Sequence, residues 1–126
     1  MNTFKNDVRN TAGGANLLNC FLCGSCTACC PVNEIDNDYN PRKIMRLVLL
    51  DMEDEVLKPG EIWKCNQCHN CVAHCPQDVR FADIVRVLRE MAIEKGYRDK
   101  TLSEKIYLLD DKLKRQRLEK IKEVLA

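Results

Sequence analysis

The sequence predicts an all-α chain in which helices are joined by two cysteine-dense loops and followed by a C-terminal amphipathic helix. Three observations support this. Apolar residues recur at helical spacing in three segments, while no alternating pattern of useful length marks a strand. Two similar cysteine runs, starting 45 residues apart at Cys20 and Cys65 and each followed by a helical segment, form an internal repeat.

Residues 1–19 are polar, contain Gly13-Gly14 and several Asn, and lack sustained periodicity, so they read as a poorly ordered arm entering the first cysteine run. We bound the arm at 1–16, the cysteine-bearing domain at 17–98 and the terminal helix at 99–126. After Pro31, residues 33–40 read as a polar loop. Asn40-Pro41 then supplies a cap and a first-turn proline, predicting a helix that buries Ile44, Leu47, Val48 and Met52. Pro59-Gly60 ends that segment, and Trp63 leads into the second run.

Beyond Pro76, Phe81, Ile84, Val85, Leu88, Met91 and Ala92 share one helical face, with Arg86, Arg89, Glu90 and Lys95 elsewhere and Gly96 as the stop. From Leu102 to Leu125, Leu102, Ile106, Leu109 and Leu113 form a stripe that Leu118, Ile121 and Leu125 continue. Asp110, Lys112, Lys114, Arg115, Arg117 and Lys120 lie outside it, which is the pattern of an amphipathic helix. The basic stretch from Lys112 to Lys122, interrupted by Glu119, reads as its wet face, with docking on a partner subunit as the functional alternative.

A chain of 126 residues supports one modest core, and a net charge of +1 gives no global pull toward nucleic acid or an acidic membrane. Nine cysteines demand disulfides or metal. The N-terminus lacks the apolar run of a signal peptide, and the best apolar stretch, Ile44 to Leu50, is broken by Arg46. The expected location is therefore cytoplasmic and reducing, where clustered thiols point to ligation rather than disulfides.

The second run, Cys65-Asn-Gln-Cys68-His-Asn-Cys71-Val-Ala-His-Cys75-Pro76, is C-x2-C-x2-C-x3-C-P, the form in which bacterial ferredoxins hold 4Fe-4S clusters. Cys20-Phe-Leu-Cys23-Gly-Ser-Cys26-Thr-Ala-Cys29-Cys30-Pro31 repeats it with Cys30 in the fourth position. Two-residue gaps wrap three thiolates around one cube, and the cysteine before proline reaches the other cluster. The expected ligands are Cys20, Cys23, Cys26 and Cys75 for cluster one, and Cys65, Cys68, Cys71 and Cys30 for cluster two. Each cluster would then staple both halves of the chain, so that iron removal unfolds the domain.

Structural zinc needs only four thiolates and has no use for the third evenly spaced cysteine or the trailing Cys-Pro. Cys29 is the odd cysteine; proline follows Cys30, so Cys29 is expected to be a packed thiol, with a substitute-ligand role as the alternative. His69 and His74 are expected to hydrogen-bond nearby or lie exposed, since eight thiolates suffice. Lys64 and Arg80 either raise a cluster potential or are simply solvated, and Trp63 is read as packing.

These residues resemble the C subunit of heterodisulfide reductase. The resemblance rests on CFLCGSCTACCP, a spacer beginning NPRKIMRLVLL, the segment EIWKCNQCHNCVAHCPQDV, and the helix ADIVRVLREMAIEKGY, covering residues 17–97. Iron-sulfur subunits of succinate dehydrogenase, fumarate reductase and anaerobic glycerol-3-phosphate dehydrogenase are similar helical two-cluster domains. The resemblance implies an alpha-helical ferredoxin fold, two 4Fe-4S clusters and eight cysteine ligands. It also implies electron relay from a flavin-bearing A subunit to a cysteine-rich B subunit that reduces a disulfide. Cys29 and the basic terminal helix depart from the pattern.

No nucleotide-binding glycine run, nucleophile with a base or open iron position is recognisable, so no catalysis by this chain itself is expected. A member of another redox complex of the fumarate reductase or glycerol-3-phosphate dehydrogenase type and a freely diffusing ferredoxin are the alternatives.

Overall fold

Helices begin and end where the local sequence supplies caps and breakers. The structure, a computed structural model, describes residues 3–126, and among these the regular structure is helical throughout with no strand. The α-helices are α1 Phe4–Arg9, α2 Ser25–Ala28, α3 Pro31–Ile35, α4 Pro41–Leu49, α5 Glu53–Leu57, α6 Asn70–His74, α7 Phe81–Glu94 and α8 Leu102–Leu125. Short 3-10 turns at Leu17–Asn19 and Glu61–Trp63 introduce the two cysteine runs. The all-helical expectation is borne out.

Asn40 caps α4 as expected, its side chain accepting from Lys43 N at 3.1 Å, with Pro41 in the first turn. The same Asn40 oxygen accepts the Thr27 hydroxyl at 2.9 Å, and Thr27 in turn accepts Arg42 N at 2.9 Å. The start of α4 is thereby tied to the first cysteine loop. At the other end of the domain α7 stops at Gly96: Tyr97 N donates to Ala92 O at 2.9 Å and Gly96 N to Ile93 O at 3.1 Å, the paired bonds of a Schellman motif.

The core lies among α1, α4, α5 and α7. Val8, Leu17, Val48, Leu57, Ile62, Ile84, Val85 and Leu88 are all fully buried; burying one such side chain contributes roughly 1.5–3 kcal/mol. α5 packs on α4 and α7, and α1 packs on both α4 and α7. By contrast, α2 and α6 pack on one another and bury no residue completely. The molecule thus has an apolar end and a cysteine end.

Three expectations change. Residues 3–19 are not a loose arm: Thr3 caps α1, and Phe4 and Val8, one turn apart, insert into the core. Two apolar anchors at i and i+4 suffice in so short a helix, too few for a periodicity to register. Gly14 permits this docking, because a β-carbon there would stand 1.9 Å from Val8 O. Residues 1 and 2 of the expected arm lie outside the described residues.

Second, the segment read as a polar loop from 33 to 40 begins inside α3, which Pro31 nucleates from its first position. Third, α4 ends at Leu49, so Met52 is not on it; Asp51 turns through φ 59° and α5 starts afresh at Glu53. Met45 is buried, whereas Leu47 is half-buried. The terminal helix forms as expected, but its leucine stripe is largely uncovered, with Leu109, Leu113, Leu118 and Leu125 exposed. Among the described residues no helix is long and apolar enough to cross a membrane.

Candidate functional site

The internal repeat is written into the backbone. In the first cysteine run Leu22 and Gly24 take φ of 59° and 85°; 45 residues on, Gln67 and His69 take 57° and 64°. Each pair winds the chain into a left-handed step before α2 or α6 begins. Three of the four are not glycine, and each such residue costs of order 1 kcal/mol that the surrounding loop must offset. One compensation is shared: Leu22 N donates to Cys20 Sγ and Gln67 N to Cys65 Sγ, both at 3.4 Å. Val79 N similarly donates to Cys75 Sγ at 3.5 Å.

Two adjoining cavities result. One is lined by Cys20, Cys23, Cys26, Cys71 and Cys75, with Leu22, Met45, Val79 and Phe81 as apolar wall. The other is lined by Cys26, Cys30, Cys65, Cys68 and Cys71, with Val32, Tyr39 and Phe81 beside them. Cys26, Cys71 and Phe81 face both, so a single wall of side chains separates the two spaces. All nine cysteines are free of disulfides. The thiols ring spaces instead of converging on a point: among the described residues no three His, Cys, Asp or Glu stand close enough to hold a single ion.

Such surroundings fit a polynuclear iron-sulfur group: soft thiols ringing each space, apolar walls and backbone N–H groups aimed at sulfur. Each cavity draws on both halves of the chain. Cys75 joins the first run's three cysteines, and Cys30 joins the second run's. Cys23 and Cys68 are the exposed members of the two sets.

Burial sets the protonation of the unligated thiols. It pushes Cys26 up to about 11 and Cys71 up to about 12, and raises Cys20 against the opposing Leu22 N–H. Cys23, exposed beside the Ser25 hydroxyl at 3.3 Å, is lowered by that hydrogen bond. The buried thiols therefore give up protons only when something ligates them.

The remaining residues singled out in the sequence fall as follows. Cys29 lines neither cavity; its Sγ donates to Cys26 O at 3.5 Å. His74 Nδ1 pairs with Asn70 O at 2.9 Å, and His69 makes the left-handed step into α6. Lys64 is bound to Asp36 at 2.7 Å and Glu61 at 3.1 Å, and Arg80 to Asp83 at 2.7 Å, so carboxylates neutralise both charges. Trp63 packs in the core with the Arg89 guanidinium 5.4 Å from its ring centre.

Sequence reasoning missed four residues around the cavities. Arg42 Nε donates to Leu22 O at 2.7 Å, bracing the first loop from α4. Arg89 reaches back from α7 to donate to Ile62 O at 2.9 Å and Cys65 O at 2.7 Å, bracing the second. Both lie off the apolar faces of their helices, and nothing in a helical period distinguishes an arginine that folds back on a loop. Tyr39, 1% exposed, lines the second cavity together with Cys65, an environment that raises its pKa mainly through burial. Gln67 donates through Nε2 to Cys65 Sγ at 3.5 Å. An aromatic inside an otherwise polar segment was the one available signal for Tyr39.

Comparison with known proteins agrees with this chemistry. Residues 19–80 match the family model for a 4Fe-4S dicluster domain. The chain is 40% identical over 82 residues to the C2 subunit of the H(2)/formate:CoB-CoM heterodisulfide,ferredoxin reductase of Methanococcus maripaludis, covering 65% of this chain and 44% of that protein. It is 41% identical over 78 residues to the iron-sulfur C subunit of the CoB--CoM heterodisulfide reductase of Methanopyrus kandleri, covering 62% and 40%. With the C subunit of the ferredoxin:CoB-CoM heterodisulfide reductase of Methanosarcina acetivorans it shares 40% over 101 residues, 80% of this chain and 40% of that one. The chain thus spans about two-fifths of the length of these relatives.

Proposed function

This chain belongs to the two-cluster 4Fe-4S family of heterodisulfide reductase C subunits, and from that we propose that it relays single electrons between a flavin-bearing subunit and a cysteine-rich, disulfide-reducing subunit. Adjoining cysteine-lined cavities that share one wall are the observation that carries the reading. The clusters, when bound, supply the one-electron chemistry. Cys20, Cys23, Cys26 and Cys75 would hold cluster one, and Cys65, Cys68, Cys71 and Cys30 would hold cluster two.

The chain's own part is to hold, space and shield. Arg42 and Arg89 fix the two loops by their carbonyls, keeping the sulfurs in register. Phe81, Met45 and Val79 keep water from the cavity walls. Exposed Cys23 and Cys68 bring each cavity to the surface, where a partner's redox group can approach. Residues 17–98 would form the two-cluster domain, with residues 99–126 as the element docking on a partner subunit, since the leucine stripe of α8 is uncovered.

Anaerobic affinity purification of the full chain from its native source tests this. The expected result is co-purification with a flavoprotein and a second cysteine-rich protein, with reduction of the clusters by the flavoprotein. Recovery of the chain alone, or with a quinone-reactive membrane partner, overturns the proposal.

A further inference from the structure

Cys20 and Cys65 hold equivalent places in the repeat, yet their sulfurs are solvated differently by the protein. Cys20 Sγ accepts one backbone N–H, from Leu22 at 3.4 Å. Cys65 Sγ accepts the matching N–H of Gln67 at 3.4 Å and the Gln67 side-chain amide at 3.5 Å, and the buried Tyr39 lines the same cavity as Cys65. One arginine braces each loop through a carbonyl, so the surroundings that distinguish the two sulfurs are Gln67 and Tyr39. Ser25 also stands 3.3 Å from Cys23 Sγ, but on an exposed cysteine where water competes.

Both residues are held in place. Gln67 Nε2 also donates to Ala82 O at 3.2 Å, which orients the amide from α7. Tyr39 is 1% exposed, and its carbonyl accepts Asn33 Nδ2 at 2.7 Å. A hydroxyl taken this far from water needs a partner, and a packing role alone would be met by phenylalanine. Donors aimed at a ligating sulfur offset the negative charge that a cluster gains with an electron, so they favour the reduced form and raise the potential.

We propose that Tyr39 and Gln67 set the potential of the cluster held by Cys30, Cys65, Cys68 and Cys71, raising it through the sulfur of Cys65 and leaving the other cluster untouched. This rests on the ligand assignment above. Neither residue touches a reacting substrate; both act through a ligand sulfur.

The test is a redox titration followed by electron paramagnetic resonance, with iron counts, on the anaerobically prepared full chain and its Tyr39→Phe and Gln67→Leu variants. Leucine is accepted at the second position, because Leu22 holds φ 59° at the equivalent place. Each variant is expected to keep about eight irons and to move one of two titration waves to lower potential. At fixed ambient potential the reduced-to-oxidised ratio of that cluster falls about threefold to tenfold, tenfold being about 59 mV for one electron.

Two unmoved waves at full iron, or two waves moved equally, overturn the proposal. If Tyr39→Phe loses iron, Gln67→Leu decides alone. Fewer than about eight irons in the unsubstituted chain would instead overturn the ligand assignment.

Discussion

At the scale of single residues, the proposed fourth ligand of each set is the discriminating position. Cys75 and Cys71 both line the first cavity from beyond the first run, and the proposed assignment gives the fourth place there to Cys75. Cys75→Ser is therefore expected to lower iron by about half, from about eight per chain, as is Cys30→Ser. Cys29→Ser is expected to leave iron unchanged, because Cys29 lines neither cavity; iron and sulfide assays on anaerobic preparations decide. Protonation gives a second expectation. Ligation replaces a sulfur-bound proton by iron, so each thiol below its pKa releases a proton on loading, and loading strengthens as pH rises. With ordinary thiols this gain would level off near pH 8.5 to 9. Cys26 at about 11 and Cys71 at about 12 extend it further. Iron retained against a fixed excess of a ferrous chelator is thus expected to keep increasing between pH 7 and pH 10.

At the scale of elements, α1 depends on a close approach. Gly14→Ala would place a β-carbon 1.9 Å from Val8 O, so the turn after α1 must open or α1 must leave the core. A loss of about 1–3 kcal/mol in anaerobic urea unfolding is expected, typical of overpacking at a buried contact. Asn40→Ala should cost about 1 kcal/mol as a lost cap, and somewhat more because Thr27 also loses its acceptor. Legibility from sequence divides along these lines. α4, α7 and α8 were legible because Asn40-Pro41, Gly96 and long apolar periods are local signals. α1 was not, since Phe4 and Val8 acquire meaning only when α4 and α7 are there to receive them. The two-cluster character was legible because the cysteine spacing of both runs is the one a 4Fe-4S group imposes. Tyr39, Gln67, Arg42 and Arg89 act on partners distant in the chain or through backbone turns, and no local pattern encodes such contacts.

At the scale of the whole molecule, the apolar end and the cysteine end differ in what holds them. α4, α5 and α7 share a buried core, whereas α2 and α6 have none of their own. Iron removal is expected to release amide protection first across residues 20–31 and 65–76, while α7 keeps protection longest; hydrogen exchange with and without chelator measures the order. Deleting α8 is expected to leave iron content and the protection of α7 unchanged, since the helix projects with most of its surface exposed. A fall in partner recovery after that deletion would mark its stripe as a contact.

The packing of α1 on α7 has a consequence for biogenesis. A nascent chain cannot close its hydrophobic interior until residues 81–94 have left the ribosome. By then both cysteine runs have been translated, so the thiols of both runs are exposed together while the interior is still open enough to receive iron and sulfide.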